Sequence, residues 1–274
     1  MISRRVGLAA TSAGLVFLLG GCPNPNTYTT PRTLDPGQVQ WQVAPEVIGV
    51  DYSARYGSTD ASGNLIKTKV SSVWPMFPTF GARIGVAEGL EIGLRAPNLE
   101  PVAGDAKIRL LKGPVDVALD PGLQLYYGSA NGNGFAVVYL HAPVLLGINL
   151  SENVSLVLSP GLVYADTTAS GASGVVPTGV VGSSTAEGFM ARLGAGFDFR
   201  VSRSLAIHPE VTLVRQFTGS QDLLLGIGGI GFNFGAQPDY SDLARASPPA
   251  APLPPASPGP PAEPVPPEKT PVEL

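Results

Sequence analysis

The chain has 274 residues, 14% of them charged, with 34 glycines, 28 prolines and a formal net charge of −4. Soluble domains carry charge on roughly a quarter of their residues, so this composition excludes an ordinary globule wetted on all sides. It leaves a chain that meets lipid, is partly unstructured, or both, and without a basic run it gives no footing for nucleic-acid binding.

The amino terminus has a positive start at Arg4 and Arg5, an apolar stretch from Val6 to Leu19 and a small-residue ending. That is the layout of an export signal, too short for a comfortable transmembrane helix. Ser3-Arg4-Arg5 lacks the aromatic that normally completes a twin-arginine motif, so it reads as a plain positive start. Leu19-Gly20-Gly21-Cys22 resembles the lipobox of bacterial lipoproteins. The resemblance implies that residues 1–21 are removed and that Cys22 is lipidated and becomes the first mature residue. Cys22 is the chain's single cysteine, so no internal disulfide can form. Pro23 follows it where, in that family's sorting rules, an aspartate would favour inner-membrane retention. Delivery to the outer membrane is therefore open.

Residues 22–36 are rich in Pro, Asn and Thr and read as a lipidated tether without a core. Residues 37–235 then divide into ten period-two runs rich in Val, Leu, Ile, Phe and Tyr, at 38–57, 72–86, 89–97, 104–112, 115–127, 135–150, 153–165, 187–201, 204–217 and 221–235. Tight turns at Ala87-Glu88-Gly89, Lys112-Gly113-Pro114, Ser151-Glu152-Asn153 and Ser202-Arg203-Ser204 alternate with mostly longer links. In an up-and-down array the short turns and both termini fall on one side. Residues 236–274 form a tail, Pro-rich from 248, for which polyproline II or disorder is expected. At about 3.1 Å per residue its Pro-rich part spans roughly 70–80 Å, enough to reach a partner.

Four odd-numbered strands share apolar-x-apolar-x-Pro-x-apolar, around Pro45, Pro121, Pro160 and Pro209, and two even strands share Phe-x-Ala-Arg-(Ile/Leu)-Gly, at 80–85 and 189–194. Proline lacks an amide donor, so these four are expected at bulges or breaks in the ladder. If each ended a strand, a soluble sandwich of shorter strands would follow instead.

The two faces of the strands decide between soluble and membrane barrels. One face carries charges interleaved with glycine, as in Arg192, Gly194, Gly196, Asp198 and Arg200; the other is apolar, as in Phe189, Leu193, Phe197 and Phe199. Charges and small residues suit a confined lumen, and the apolar face suits lipid. Strands 135–150, apolar on both faces, and 221–235, poorly alternating, fit this least well. Region 37–235 resembles a bacterial outer-membrane β-barrel, and Gly229 to Phe234 is similar to that family's terminal assembly signal, although about forty residues follow it. The expected fold is thus an all-β, antiparallel up-and-down transmembrane barrel of about ten strands. The resemblance implies a Gram-negative outer membrane, periplasmic termini, and membrane lipid and the barrel-assembly machinery as partners; the reach of the Pro-rich tail adds a periplasmic partner to these expectations.

Counted from the short turns, Arg83, Arg95, Lys107, Arg109, Asp120, Asp198, Arg200, His208 and Glu210 lie at similar height. They are expected to form an ion-pair belt that constricts or closes the lumen. His208 and Glu210 share a strand face, but residues two apart are too separated for a direct acid–base dyad, so the pair reads as structural. His141 and His208 are the two histidines, no metal-ligand spacing occurs, and the glycine clusters lack the lysine and helix of a phosphate loop. The reading is a non-enzymatic barrel lipoprotein without cofactor, a narrow pore, transport or structural component. The alternatives are a lipid-anchored periplasmic sandwich or lipocalin-like binder, and an outer-membrane lipid hydrolase.

Overall fold

The computed structural model describes residues 24–59, 65–97, 102–130, 133–170, 188–217 and 222–246. The expected export signal, Cys22, the Pro-rich stretch from 248 and parts of the longer links lie outside these residues. Eleven strands occupy ten positions in the wall of a closed antiparallel barrel. They are β1 (Val39–Thr59), β2 (Leu65–Ala87), β3 (Leu90–Ala96), β4 (Val102–Leu111), β5 (Val115–Leu119), β6 (Gly122–Ala130), β7 (Asn133–Ser151), β8 (Val154–Ser170), β9 (Gly188–Ser202), β10 (Leu205–Gln216) and β11 (Asp222–Gly235). Neighbouring wall positions pair antiparallel, with β5 and β6 each pairing to both β4 and β7, and β1 pairs with β11 from Gln40↔Gly235 to Ser53↔Asp222, which closes the ring. Closure satisfies the backbone without leaving a sheet edge, the condition for crossing a bilayer with strands.

The prolines act in different ways. Pro45 sits at the register shift between Ala44 and Glu46, a bulge against β2. Pro121 divides one wall position into β5 and β6, and the pairing of β4 passes from one to the other. Pro160 and Pro209 instead stay inside continuous strands, each opposite a residue of one neighbour, Leu193 and Ile230 respectively. A missing amide matters only on the side where that residue would donate, so the other ladder is preserved. Strands β1 and β2 run beyond their expected ends at 57 and 72, to Thr59 and from Leu65.

The faces fall as the alternation predicts. On β9, Phe189, Leu193, Phe197 and Phe199 point outward while Arg192, Asp198 and Arg200 are buried. Leu94, Leu110, Leu150, Leu162 and Val211 extend the apolar exterior around the wall. An arginine at the bilayer midplane on such a face costs about 2–4 kcal/mol. Leu193, 56% exposed between Pro160 of β8 and Leu213 of β10, is a mid-strand position of this kind. Leu193→Arg is expected to lower folding stability in phosphatidylcholine vesicles by that amount, read from urea titrations, whereas Arg203→Ala at the exposed rim should leave it unchanged.

Candidate functional site

Residues 24–34, most of the segment read as a tether, run inside the barrel. From the short-turn rim the chain climbs backwards through the lumen, and Asn24, Asn26, Thr27, Tyr28, Arg32 and Leu34 are all nearly inaccessible. Asn, Thr and Pro make no periodic pattern, so composition gives no sign of this, yet most residues of the segment find hydrogen-bond partners on the wall. Leu34 donates its amide to Glu91 (2.9 Å), and Arg32 donates Nε to Asp116 (2.7 Å). Lys107 donates Nζ to Thr29 Oγ1 (2.8 Å) and to the Thr30 carbonyl (3.0 Å). Thr27 and Tyr28 donate their amides to Glu210, the latter at 2.6 Å. Arg95 donates to the Asn26 carbonyl. At the top, Asn24 donates Nδ2 to Glu46 (2.6 Å) and Thr79 (3.0 Å), and exchanges bonds with Gln124.

Tyr28 is the central residue of this plug. Its φ of 46° lies in the left-handed region, which costs a bulky side chain about 1–3 kcal/mol unless its surroundings fix it. They do so here: its hydroxyl donates to Glu46 (2.6 Å), and its carbonyl accepts from Gln42 of β1 (3.1 Å) and Asn233 of β11 (3.0 Å). Room for the ring comes from two inward glycines of β11. A Cβ on Gly229 would come within 2.2 Å of the Tyr28 hydroxyl, and one on Gly231 within 2.7 Å of its Cβ. The glycines of the last strand are therefore shaped to the plug.

Around the plug the charge belt resolves into two clusters. Arg83 pairs with Glu91 (2.6 Å), with Asp105 and, at 3.6 Å, with Asp120; Lys107 reaches Glu91 (2.9 Å), and Arg95 reaches Asp105 (3.4 Å). On β9 and β10, Arg200 pairs with Asp198 (2.6 Å), His208 Nδ1 lies 3.4 Å from Asp198, and Arg192 lies 3.8 Å from Glu210. Arg109 joins neither cluster. It pairs at the rim with exposed Glu88 (3.2 Å). The expected belt omitted the acids Glu46, Glu91, Asp105 and Asp116, which complete the networks. Buried charges are tolerated only when so paired.

His208 Nε2 lies 3.8 Å from Glu210, and the Tyr28 ring meets the imidazole edge-on at 6.4 Å. His141 is buried on β7 with neither ring nitrogen hydrogen-bonded among the described residues. Among those residues no group of three or more His, Cys, Asp or Glu is disposed to hold a metal.

The first part of the expected tail is also folded. Ala236 donates its amide to Val39 (3.0 Å), and Tyr240 is buried with Arg32 and Arg200 against its ring, at 4.1 and 3.5 Å from the centroid. Helix α1 (Ser241–Ala246) follows, and Asp242 accepts from Arg32 (2.5 Å). Residues 236–246, expected to belong to a disordered tail, are therefore ordered, because Tyr240 has a cationic seat at the mouth; the rest of the expected tail lies outside the described residues. Burial holds the Tyr240 phenol above its ordinary range, while the Arg32 hydrogen bond holds Asp242 below the usual carboxylate range. A depressed carboxylate contributes above its unfolded value near pH 4 and ceases to contribute as pH falls through the folded one. Hydrogen exchange, corrected for intrinsic rates, is expected to show α1 amides protected at pH 5 and losing protection as pH falls below the ordinary carboxylate range, with Asp242→Asn unprotected throughout.

The molecule is a closed β-barrel with an apolar exterior, a charged lower lumen and its own amino-terminal segment as a plug, the architecture of transmembrane barrels. No family model matches the chain, and no curated protein does. Among solved structures it is similar to the outer membrane protease OmpT from Escherichia coli, at 8% identity over 76% of this chain and 100% of that one, with a TM-score of 0.48. The transport unit of the autotransporter AIDA-I from Escherichia coli aligns at 8% identity over 82% and 97%, with a TM-score of 0.38. The attachment invasion locus protein Ail of Yersinia pestis aligns at 9% identity over 72% and 99%, with a TM-score of 0.33.

Proposed function

We propose that this protein is a non-enzymatic outer-membrane barrel lipoprotein whose lumen is closed, serving a structural role or opening as a narrow pore only when its plug moves. The observation that carries this reading is the buried segment from Asn24 to Leu34, bonded to both charge clusters. Cys22, in its lipobox, is the lipid attachment site. The barrel is inserted by the assembly machinery with both termini in the periplasm, where the Pro-rich tail extends to a periplasmic partner.

Planar-bilayer recording tests closure. The full chain is expected to conduct at no more than background, and a variant with residues 24–33 replaced by glycine and serine is expected to give discrete steps. Large unselective steps from the unaltered protein would sink the reading. Membrane embedding is tested with Cys22→Ala behind an unmodified export signal: the barrel should stay detergent-extractable, and release into the soluble periplasm would contradict it.

A further inference from the structure

The plug and the ordered end of the chain meet at Arg32. A guanidinium has five N–H groups, and here all five are used. Nε donates to Asp116 (2.7 Å), Nη1 to the Asp239 carbonyl and to Asp242, and Nη2 to Asp242 (3.1 Å) and the Gly113 carbonyl (3.2 Å). Three of these five bonds end on Asp239 and Asp242, so the buried cation of the plug is held mainly by the carboxy-terminal segment.

That segment lies across the mouth. At one end Ala236 donates its amide to Val39 and accepts from Gln40, both at 3.0 Å, which ties it to the start of β1. At the other, Asp242 lies 3.8 Å from Lys112, in the turn between β4 and β5. Between these points the buried Tyr240 ring sits against Arg32 of the plug and Arg200 of β9, touching plug and wall together. A guanidinium held over an aromatic face gains most where water is excluded. The plug itself is hinged at the rim, where Gly37 donates to Gly85 (2.8 Å) and Gln38 to Asp35 (3.0 Å). A segment hinged there leaves the lumen by swinging out through the mouth, and residues 236–246 cross that path.

We propose that residues 236–246 are a strap that locks the plug, so that release begins at the carboxy-terminal segment: Tyr240 and Asp242 leave Arg32 before Asn24 to Leu34 can leave the wall. This rests on the reading that the plug closes the lumen, and it makes the strap the point at which a signal would act. Coupling between two sites is reciprocal. Loss of the strap should therefore free the plug, and loss of Arg32 should free the strap.

The test uses the full chain with Cys22→Ala in phosphatidylcholine vesicles. Single cysteines replace Thr27, which is bonded to Glu210 deep in the lumen, or Thr33, beside Arg32, and their rates of reaction with a polar maleimide are measured. Tyr240→Ala combined with Asp242→Asn is expected to speed the reaction at both positions by about tenfold or more, the factor for one hydrogen bond to a charged group. Tyr240→Phe alone keeps a ring on both guanidiniums and should keep both cysteines protected. Arg32→Gln should speed hydrogen exchange across residues 236–246 by a similar factor. Heat-modifiable gel mobility identifies the variants whose barrel is folded; should the double substitution lose it, Tyr240→Ala and Asp242→Asn read singly carry the same test.

Acceleration at position 33 with position 27 still protected would show a strap that covers the mouth without holding the plug, and would overturn the proposal. Unchanged rates at both positions, or exchange in the strap that ignores Arg32→Gln, would overturn it too. Rapid reaction of Thr27→Cys with the strap intact would mean that the segment is not seated, which overturns the closed-lumen reading and the lock with it.

Discussion

Replacing Glu210 with alanine is expected to release the plug while leaving the barrel closed. Its carboxylate accepts the amides of Thr27 and Tyr28 and the hydroxyl of Thr212 (3.1 Å), in a site that excludes water. Without it two backbone donors are buried unpaired, at about 1–3 kcal/mol each. That is comparable to the free energy of seating a short segment, so the plug should become mobile. A cysteine at Thr27, in a Cys22→Ala background, reports this directly. It should be inert to a polar maleimide with Glu210 present and react readily in Glu210→Ala. Equal protection in both would show that Glu210 does not hold the segment. Glu210→Gln, which can still accept one of the two amides, should fall between them.

The second large effect is expected at Arg83. Its guanidinium faces Glu91, Asp105 and Asp120, and all four groups are buried. Removing the cation leaves three carboxylates close together in the lower lumen, and breaking a buried pair in this way costs about 3–5 kcal/mol. Arg83→Ala should lower the urea midpoint in vesicles correspondingly and weaken heat-modifiable gel mobility. Arg83→Lys keeps the charge but loses the fork that spans Glu91 and Asp105, so an intermediate loss is expected. An unchanged midpoint for Arg83→Ala would mean that solvent reaches these acids. The plug should loosen as well, since Glu91 accepts the Leu34 amide.

The wall was legible because alternation at period two is a local signal, repeated on every strand and phased by the short turns. Even the sides taken by Arg192 and Phe197 follow from it. The plug was not legible, because residues 24–34 carry no period and their partners lie far along the chain, as Thr27 does from Glu210. Two signs were nevertheless present. Gly229 and Gly231 put no side chain on the lumen side of the last strand, and Glu46 and Glu210 put acids there without a cation assigned to each. The strands that fitted least well, β7 and β11, are apolar on the lumen side as well as the outer one: Val137, Tyr139, Leu223, Leu225 and Ile227 are buried together in one hydrophobic cluster inside the barrel. Arg109 was misplaced because counting from a turn sets height but not the reach of a long side chain to Glu88.

The Tyr28 carbonyl joins Gln42 of the first strand to Asn233 of the last. Those strands are the farthest apart in sequence of any pair in the wall, so their seam closes against the greatest loss of chain freedom. A carbonyl that accepts from both sides of it works as a latch set from within, and a latch of that kind can engage only once the two strands have met. Maturation would then have two distinguishable stages: a barrel zipped but able to part along its seam, and one in which the seated segment has locked it.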